Sequence, residues 1–93
     1  MNNYEVLYII DNTLDEAARD AAMARYESIV KDNGGSVDKT DKWGMRKFAY
    51  PINYKTEGFY VLMTFTASSE LPKELERQMR ISDEIVRFMV IRK

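Results

Sequence analysis

Residues 43–66 read WGMRKFAYPINYKTEGFYVLMTFT, two apolar and aromatic runs separated by a polar turn. This content predicts a strand over residues 36–52, strongest from Trp43 onward, and another over Phe59–Thr66. Lys55–Gly58 supplies the turn between them, so the two strands are expected to pair as a hairpin. Pro51 favours an edge position for the first strand, because proline has no N–H to donate to a neighbouring strand.

A strand and a helix precede this hairpin. Residues 4–10, YEVLYII, are β-branched and aromatic and predict a strand that is apolar on both faces. Thr13 and Glu16 match a capping box, which predicts a helix beginning at that point. Asn33-Gly34-Gly35 is a typical left-handed helix stop, so the helix should end near residue 33. Its apolar face is predicted to comprise Leu14, Ala18, Ala21, Ala22, Tyr26, Ile29 and Val30.

A second helix and a last strand follow the hairpin. Ser68–Pro72 predicts a helix start, because serine suits the cap and proline is tolerated in the first turn. Leu71, Leu75 and Met79 give this helix an apolar stripe, and it should end near Arg80. The run Ile85–Ile91 then predicts the final strand.

The order strand, helix, strand, strand, helix, strand is that of the split β-α-β fold. We therefore predict an α+β, ferredoxin-like domain, βαββαβ, with a four-stranded antiparallel sheet and both helices on one face. Right-handed crossovers place the first and third strands at the centre of the sheet. Residues 1–93 should form a single domain, because a chain of this length holds only one modest core.

Two helices cover only one face of such a sheet, so alternation along the strands divides the side chains into two sets. The predicted core set is Val6, Tyr8, Ile10, Phe48, Ile52, Val61, Met63, Phe65, Val86, Phe88 and Val90. The predicted open set is Leu7, Ile9, Tyr60, Leu62, Met89 and Ile91, surrounded by Met45, Lys47, Ala49, Thr64 and Arg87. The open set is unusually apolar, which is typical of an interface with a partner protein. A homodimer, or scattered apolar side chains without a function, would give the same pattern.

The amino-acid composition disfavours several classes of function. The chain has no cysteine and no histidine, so the commonest zinc ligands and the commonest general base are missing, and enzymes are disfavoured. No apolar run approaches the length of a membrane span, and we expect a cytoplasmic protein. The net charge of −1 disfavours a generally basic nucleic-acid binder. The charge is nevertheless polarised, because residues 1–37 hold three basic and seven acidic side chains, and residues 38–93 hold eleven and eight.

Basic and aromatic side chains alternate around the second strand. They are Lys39, Lys42, Arg46, Lys47 and Lys55, with Trp43, Phe48, Tyr50 and Tyr54. Basic side chains bind phosphate oxygens and aromatic rings stack on unpaired bases, so the combination favours RNA binding. Lysine on an edge strand also prevents edge-to-edge aggregation, and this alternative stays open.

The segment Trp43–Ile52, WGMRKFAYPI, is specific enough to resemble a known family. Together with the opening Tyr4-Glu5-Val6 and the later segment RISDEIVRFMV at residues 80–90, it closely resembles the sixth protein of the bacterial small ribosomal subunit. The resemblance spans essentially the whole chain. It implies a ferredoxin-like, non-enzymatic, ribosome-associated protein without cofactor, metal or small-molecule substrate.

The resemblance also implies partners. It predicts a heterodimer with the eighteenth small-subunit protein and binding to the central domain of the small-subunit ribosomal RNA. Carried over residue by residue, it gives as candidate RNA contacts Arg46, Lys47, Tyr50, Arg80, Arg87 and Arg92. The open set gives as candidate partner contacts Leu7, Ile9, Met45, Tyr60, Leu62, Met89 and Ile91.

Two other functions share this topology. A free-standing RNA-recognition module carries a basic residue, glycine and alternating aromatics on its third strand, and of these only Gly58 and Phe59 stand in this sequence. A small-molecule sensor is less favoured, because no phosphate-binding glycine loop or carboxylate cluster occurs.

Overall fold

The structure is a computed structural model. It describes the backbone of residues 1–52 and 55–93 and the side chains of residues 1–48 and 56–93. The elements in chain order are β1 (Asn2–Asp11), α1 (Glu16–Asp32), β2 (Ser36–Ile52), β3 (Lys55–Ala67), α2 (Leu71–Arg80) and β4 (Ile85–Arg92).

The four strands form one antiparallel sheet in the order β2-β3-β1-β4. This confirms the predicted ferredoxin-like fold, with β1 and β3 at the centre and β2 and β4 at the edges. Both helices pack on one face of the sheet, where their apolar side chains join those of the strands in one core.

The core is built by every second residue of the central strands. Val6, Tyr8 and Ile10 of β1 are fully buried, as are Val61 and Met63 of β3, which lie in neighbouring rows. The buried residues of the two helices are Ala22, Met23, Tyr26, Val30, Leu71, Leu75 and Met79. No polar or charged residue is buried within the described ranges 1–48 and 56–93, so the core depends on apolar burial.

The first helix begins differently from the prediction. Asp15 is the N-cap, and its Oδ1 accepts a hydrogen bond from the N–H of Ala18 at 2.8 Å. The predicted capping box at Thr13 is wrong, because the helix begins at Glu16 and Asp15 occupies the N-cap position. The Thr13 N–H donates to Asp11 Oδ1 at 3.0 Å in a turn before the helix. The predicted glycine stop is confirmed by Gly34, whose φ is 84°.

A β-bulge in β2 reverses the predicted alternation. Lys42 pairs with Val61 but Gly44 pairs with Tyr60, so Trp43 is an extra residue without a direct partner. Directly paired residues of antiparallel strands point to the same face, so the bulge exchanges the faces of residues 44–47, which follow it in β2. Gly44 has a φ of 91°, which suits the bulge because glycine has no Cβ to clash at positive φ.

Three predicted orientations are therefore wrong. Phe48 was placed in the core, but its ring lies beside that of Tyr60 on the open face, with centroids 6.2 Å apart. Met45 and Lys47 were placed on the open face, but their partners in β3 are Phe59 and Glu57, on the helix side. The predicted core residue Ile52 lies outside the described side chains.

A second irregularity corrects the register of β4. The pairing of β1 with β4 shifts between Ile9 and Ile10, and Ile85 rather than Val86 pairs with Ile10. Ile85 packs against the core, so the prediction of Val86 as a core residue is wrong.

Candidate functional site

The open face of the sheet, on the side away from the helices, includes three rows of paired residues that cross all four strands. Across β2, β3, β1 and β4 the rows are Gly44, Tyr60, Ile9, Arg87; then Asp41, Leu62, Leu7, Met89; then Lys39, Thr64, Glu5, Ile91. The apolar side chains are concentrated in the centre and on the β4 side, and the polar ones lie towards β2 and one end.

Five side chains form what we call the apolar patch: Leu7, Ile9, Leu62, Met89 and Ile91. Met89 is 54% exposed and Ile91 is 51% exposed, although each neighbours other apolar side chains. Ile9 is the exception, because it is only 6% exposed. A Cβ at position 58 would clash with the Cγ2 of Ile9, which shows that Ile9 packs into the space that Gly58 leaves open.

At the β2 side of the same face, four side chains form what we call the hairpin cluster: Trp43, Arg46, Phe48 and Tyr60. The rings of Trp43 and Tyr60 are nearly parallel, with an interplanar angle of 7° and centroids 6.5 Å apart. The Arg46 guanidinium carbon lies 5.3 Å from the centre of the Trp43 ring, within cation–π range. Trp43 remains 42% exposed, so the cluster is open to a ligand.

Of the predicted RNA contacts, Arg46 and Arg87 lie on the open face. Arg46 pairs with Gly58 on one side of the face, and Arg87 pairs with Ile9 on the other. Gly44 and Arg87 lie in one row, three strand spacings or about 14 Å apart. The two cations thus stand on opposite sides of the open face.

The other predicted contacts lie elsewhere. Lys47 is on the helix side of β2, and Arg80 ends α2 with its guanidinium 6.0 Å from the centre of the Phe88 ring. Arg92 donates from Nη2 to Asn2 Oδ1 at 3.0 Å. Tyr50 lies outside the described side chains. The structure therefore does not bring the predicted RNA contacts together in one cluster.

Several cations away from the cluster are paired with acids. Arg25 Nη2 lies 2.7 Å from Glu84 Oε1, and this hydrogen bond raises the pKa of the guanidinium. Arg77 binds both oxygens of Glu74 and lowers the pKa of that carboxyl group to about 2. Within the part of the chain that the structure describes, Arg46 and Arg87 form no salt bridge and are available to phosphate.

Trp43 is the site residue that sequence reasoning did not assign. The signal was Gly44, because a glycine within a strand pattern often marks a bulge, and a bulge turns the adjacent side chain to a new direction. The described residues hold no group of three or more acids that could bind a metal ion. None of their helices is both long and apolar enough to span a membrane.

A sheet with one face covered by helices and one apolar face that carries two arginines at one end agrees with the resemblance noted in the sequence. The family model described as "Ribosomal protein S6" matches residues 3–92. The chain belongs to the ribosomal protein S6 family.

Similar proteins agree with this assignment. The chain is 50% identical to "Small ribosomal subunit protein bS6" of Clostridium novyi, over 98% of this chain and 96% of the relative. It is 53% identical to the protein of that name from Exiguobacterium sibiricum, over 97% and 95%. The crystal structure of 30S ribosomal protein S6 from Thermotoga maritima superposes with a TM-score of 0.94 at 33% identity, covering 99% of this chain and 87% of that one.

Membership confirms three predictions. Proteins of the S6 family are structural components of the small ribosomal subunit and not enzymes. The predicted ribosomal location follows from the family. The predicted fold matches that of the Thermotoga maritima protein.

Proposed function

We propose that this protein binds the central domain of the small-subunit ribosomal RNA cooperatively with the eighteenth small-subunit protein, which docks on the open face. The observation that carries the proposal is the apolar patch, which stands uncovered on a face whose one end carries two arginines that form no salt bridge within the described residues. The proposal is supported by the presence of exposed apolar side chains and positive charge on the same face of the sheet.

The apolar patch favours a protein occupant. Met89 and Ile91 are each more than half exposed, and fully burying such a side chain is worth roughly 1.5–3 kcal/mol. Covering the remaining half of each should therefore contribute about 1 kcal/mol per side chain. RNA offers mainly phosphates, hydroxyls and base edges, which gain little from aliphatic side chains, whereas a partner protein can supply matching apolar groups.

The charge of the chain explains why binding should be cooperative. RNA affinity depends on cations that displace counterions from phosphates, and a chain of net charge −1 supplies few of them. Arg46 and Arg87 lie on the same face at one end of the apolar patch, so a partner seated on the patch would form one continuous surface with both arginines. The partner then adds the basic groups that this chain lacks, and each protein strengthens the RNA binding of the other.

A titration of the central-domain RNA at several salt concentrations, with and without the eighteenth protein, tests this proposal. We expect the partner to raise the affinity at least tenfold and to steepen the dependence on salt. The double variant Met89→Ala with Ile91→Ala should lose most of this gain, whereas Ile81→Ala serves as a matched control. Ile81 is 67% exposed but follows α2 and lies outside the open face. Equal affinity with and without the partner contradicts the cooperative mechanism.

The alternative of a free-standing RNA-recognition module is less well supported. Such modules stack bases on aromatic side chains of the two central strands. Here the central strands present Leu7, Ile9 and Leu62 on the open face, and Tyr60 is the one aromatic residue among their paired, described positions there. The aromatic groups instead gather beside the β2 edge.

A further inference from the structure

The hairpin cluster combines two groups that recognise different parts of a nucleotide. Trp43 and Tyr60 present nearly parallel rings, with an interplanar angle of 7°, and Trp43 is 42% exposed. Arg46 lies against the Trp43 ring, with 5.3 Å between its guanidinium carbon and the ring centre. An aromatic face suits a base, and the adjacent guanidinium suits the phosphate of the same nucleotide.

We propose that Trp43 and Tyr60 form a stacking platform for one unpaired RNA base, with Arg46 binding the adjacent phosphate. This inference rests on the proposed RNA-binding function. It assigns two parts of the open face to different partners. The apolar patch binds the partner protein, and the hairpin cluster binds RNA directly.

The geometry around the cluster holds the Tyr60 side of the platform in place. Phe48 packs against Tyr60 on the same face, with 6.2 Å between ring centroids and an angle of 50°. Tyr60 is also held in β3, where it pairs with Ile9 of β1 and Gly44 of β2. Trp43 projects from the bulge, where it is not constrained by a directly paired residue. A base would therefore meet one fixed ring and one ring that can adjust.

Charge favours RNA over the partner protein as the occupant of this cluster. Arg46 forms no salt bridge within the described residues, and Asp41, the nearest open-face acid along β2, has Lys39 Nζ 3.5 Å from its Oδ2. The cluster therefore presents a positive charge. The cooperative mechanism requires a basic partner, which Arg46 would repel, whereas a nucleotide brings a negative phosphate together with an uncharged ring.

A purely structural role predicts different behaviour. A surface cation–π contact such as that of Arg46 with Trp43 stabilises a fold only weakly. If the cluster served only to hold the hairpin, substitution of Trp43 would alter thermal stability and leave RNA affinity unchanged. A stacking platform predicts the reverse, and the two roles are separable by measuring both quantities.

Trp43 is the only tryptophan in the chain, so its fluorescence reports directly on the cluster. The experiment titrates the complex of the full chain and a tryptophan-free version of the eighteenth protein with central-domain RNA. We expect quenching of the Trp43 emission, because a stacked base contacts the indole ring. Trp43→Ala should weaken RNA binding roughly five- to a hundred-fold, and Trp43→Phe should retain most of the affinity.

A set of abasic RNAs, each lacking one of the unpaired bases, tests whether stacking causes the loss of affinity in Trp43→Ala. For one of these abasic RNAs, Trp43→Ala should cause no further loss, since the base that it stacks on is already missing. Ile81→Ala is the matched control, because Ile81 is 67% exposed, follows α2 outside the open face, and should leave both the quenching and the RNA affinity unchanged. Melting curves of each variant separate loss of binding from loss of folding.

The outcomes distinguish the inference from the proposed function. RNA binding with unchanged Trp43 emission and an unchanged affinity of Trp43→Ala overturns the stacking platform and leaves the proposed function standing. If Trp43 emission instead changes when the partner protein is added without RNA, and Trp43→Ala binds the partner more weakly, the hairpin cluster contacts the partner protein. That result would also overturn the stacking platform. No binding of the central-domain RNA by the complex contradicts the proposed function itself.

Discussion

Gly44→Ala should destabilise the protein, because the bulge at Trp43 depends on the positive φ of Gly44. That φ is 91°, and no atom lies within 4 Å of a Cβ built there, so the cost is backbone strain without a steric clash. Holding a residue with a side chain in such a region costs roughly 1–3 kcal/mol. Replacing glycine also lowers the entropy of the unfolded chain, which offsets about 0.4–1 kcal/mol. The net loss is therefore about 1–2 kcal/mol.

Chemical denaturation followed by circular dichroism measures this loss directly, and melting should shift down by about 4–8 °C for each kcal/mol in a domain of this size. Gly34→Ala is the matched control, since Gly34 has a φ of 84° and equally open surroundings at the end of α1. Both variants should lose similar stability, but only Gly44→Ala should alter Trp43 fluorescence in the native state. A Gly44→Ala variant as stable as the parent, with unchanged fluorescence, would refute the bulge as the device that orients the cluster.

Three further predictions concern the core. Tyr8→Phe should stabilise the protein by about 1 kcal/mol in chemical denaturation, because the buried hydroxyl of Tyr8 has no hydrogen-bond partner among the described residues. A loss of stability would refute this. Burial raises the pKa of the Tyr8 hydroxyl, so this group ionises at a lower pH in the unfolded chain than in the folded one. The free energy of unfolding should therefore fall as the pH rises above about 10. It should fall less in Tyr8→Phe, which lacks the hydroxyl. Gly35→Ala should cost about 1–3 kcal/mol, because its Cβ would lie 2.8 Å from the carbonyl oxygen of Thr66, and an unchanged melting temperature would contradict the packing.

The sequence predicted the order and type of all six elements, because hydrophobic periodicity and turn residues act locally. Pro51 predicted that β2 lies at an edge, and the crossover rule predicted that β1 and β3 lie at the centre; both predictions are confirmed. The stripe of Leu71, Leu75 and Met79 in α2 is also confirmed.

The prediction failed where one residue changes the register. A strict alternation assigned Phe48 to the core and Met45 to the open face, but the extra residue Trp43 exchanges the two faces. Pairing register depends on both strands together, so periodicity in β2 alone could not reveal the shift. The same argument explains why Ile85 rather than Val86 joins the core.

The candidate site was predicted in part for the same reason. Leu7, Leu62 and Met89 belong to strands whose register is regular at these positions, and their open-face position followed from alternation. The hairpin cluster could not be predicted, because Trp43 and Arg46 turn towards Tyr60 only through the bulge.

Two exposed methionines allow the most direct test of the claim that a partner protein covers the open face. Met89 lies on that face and is 54% exposed, whereas Met45 is on the helix side of β2 and is 41% exposed. Hydroxyl-radical footprinting with mass spectrometry measures the oxidation rate of each in the free chain and in the complex with the eighteenth protein. We predict strong protection of Met89 and an unchanged rate at Met45. Equal protection of both, or protection of Met45 alone, would contradict the assignment of the open face to the partner.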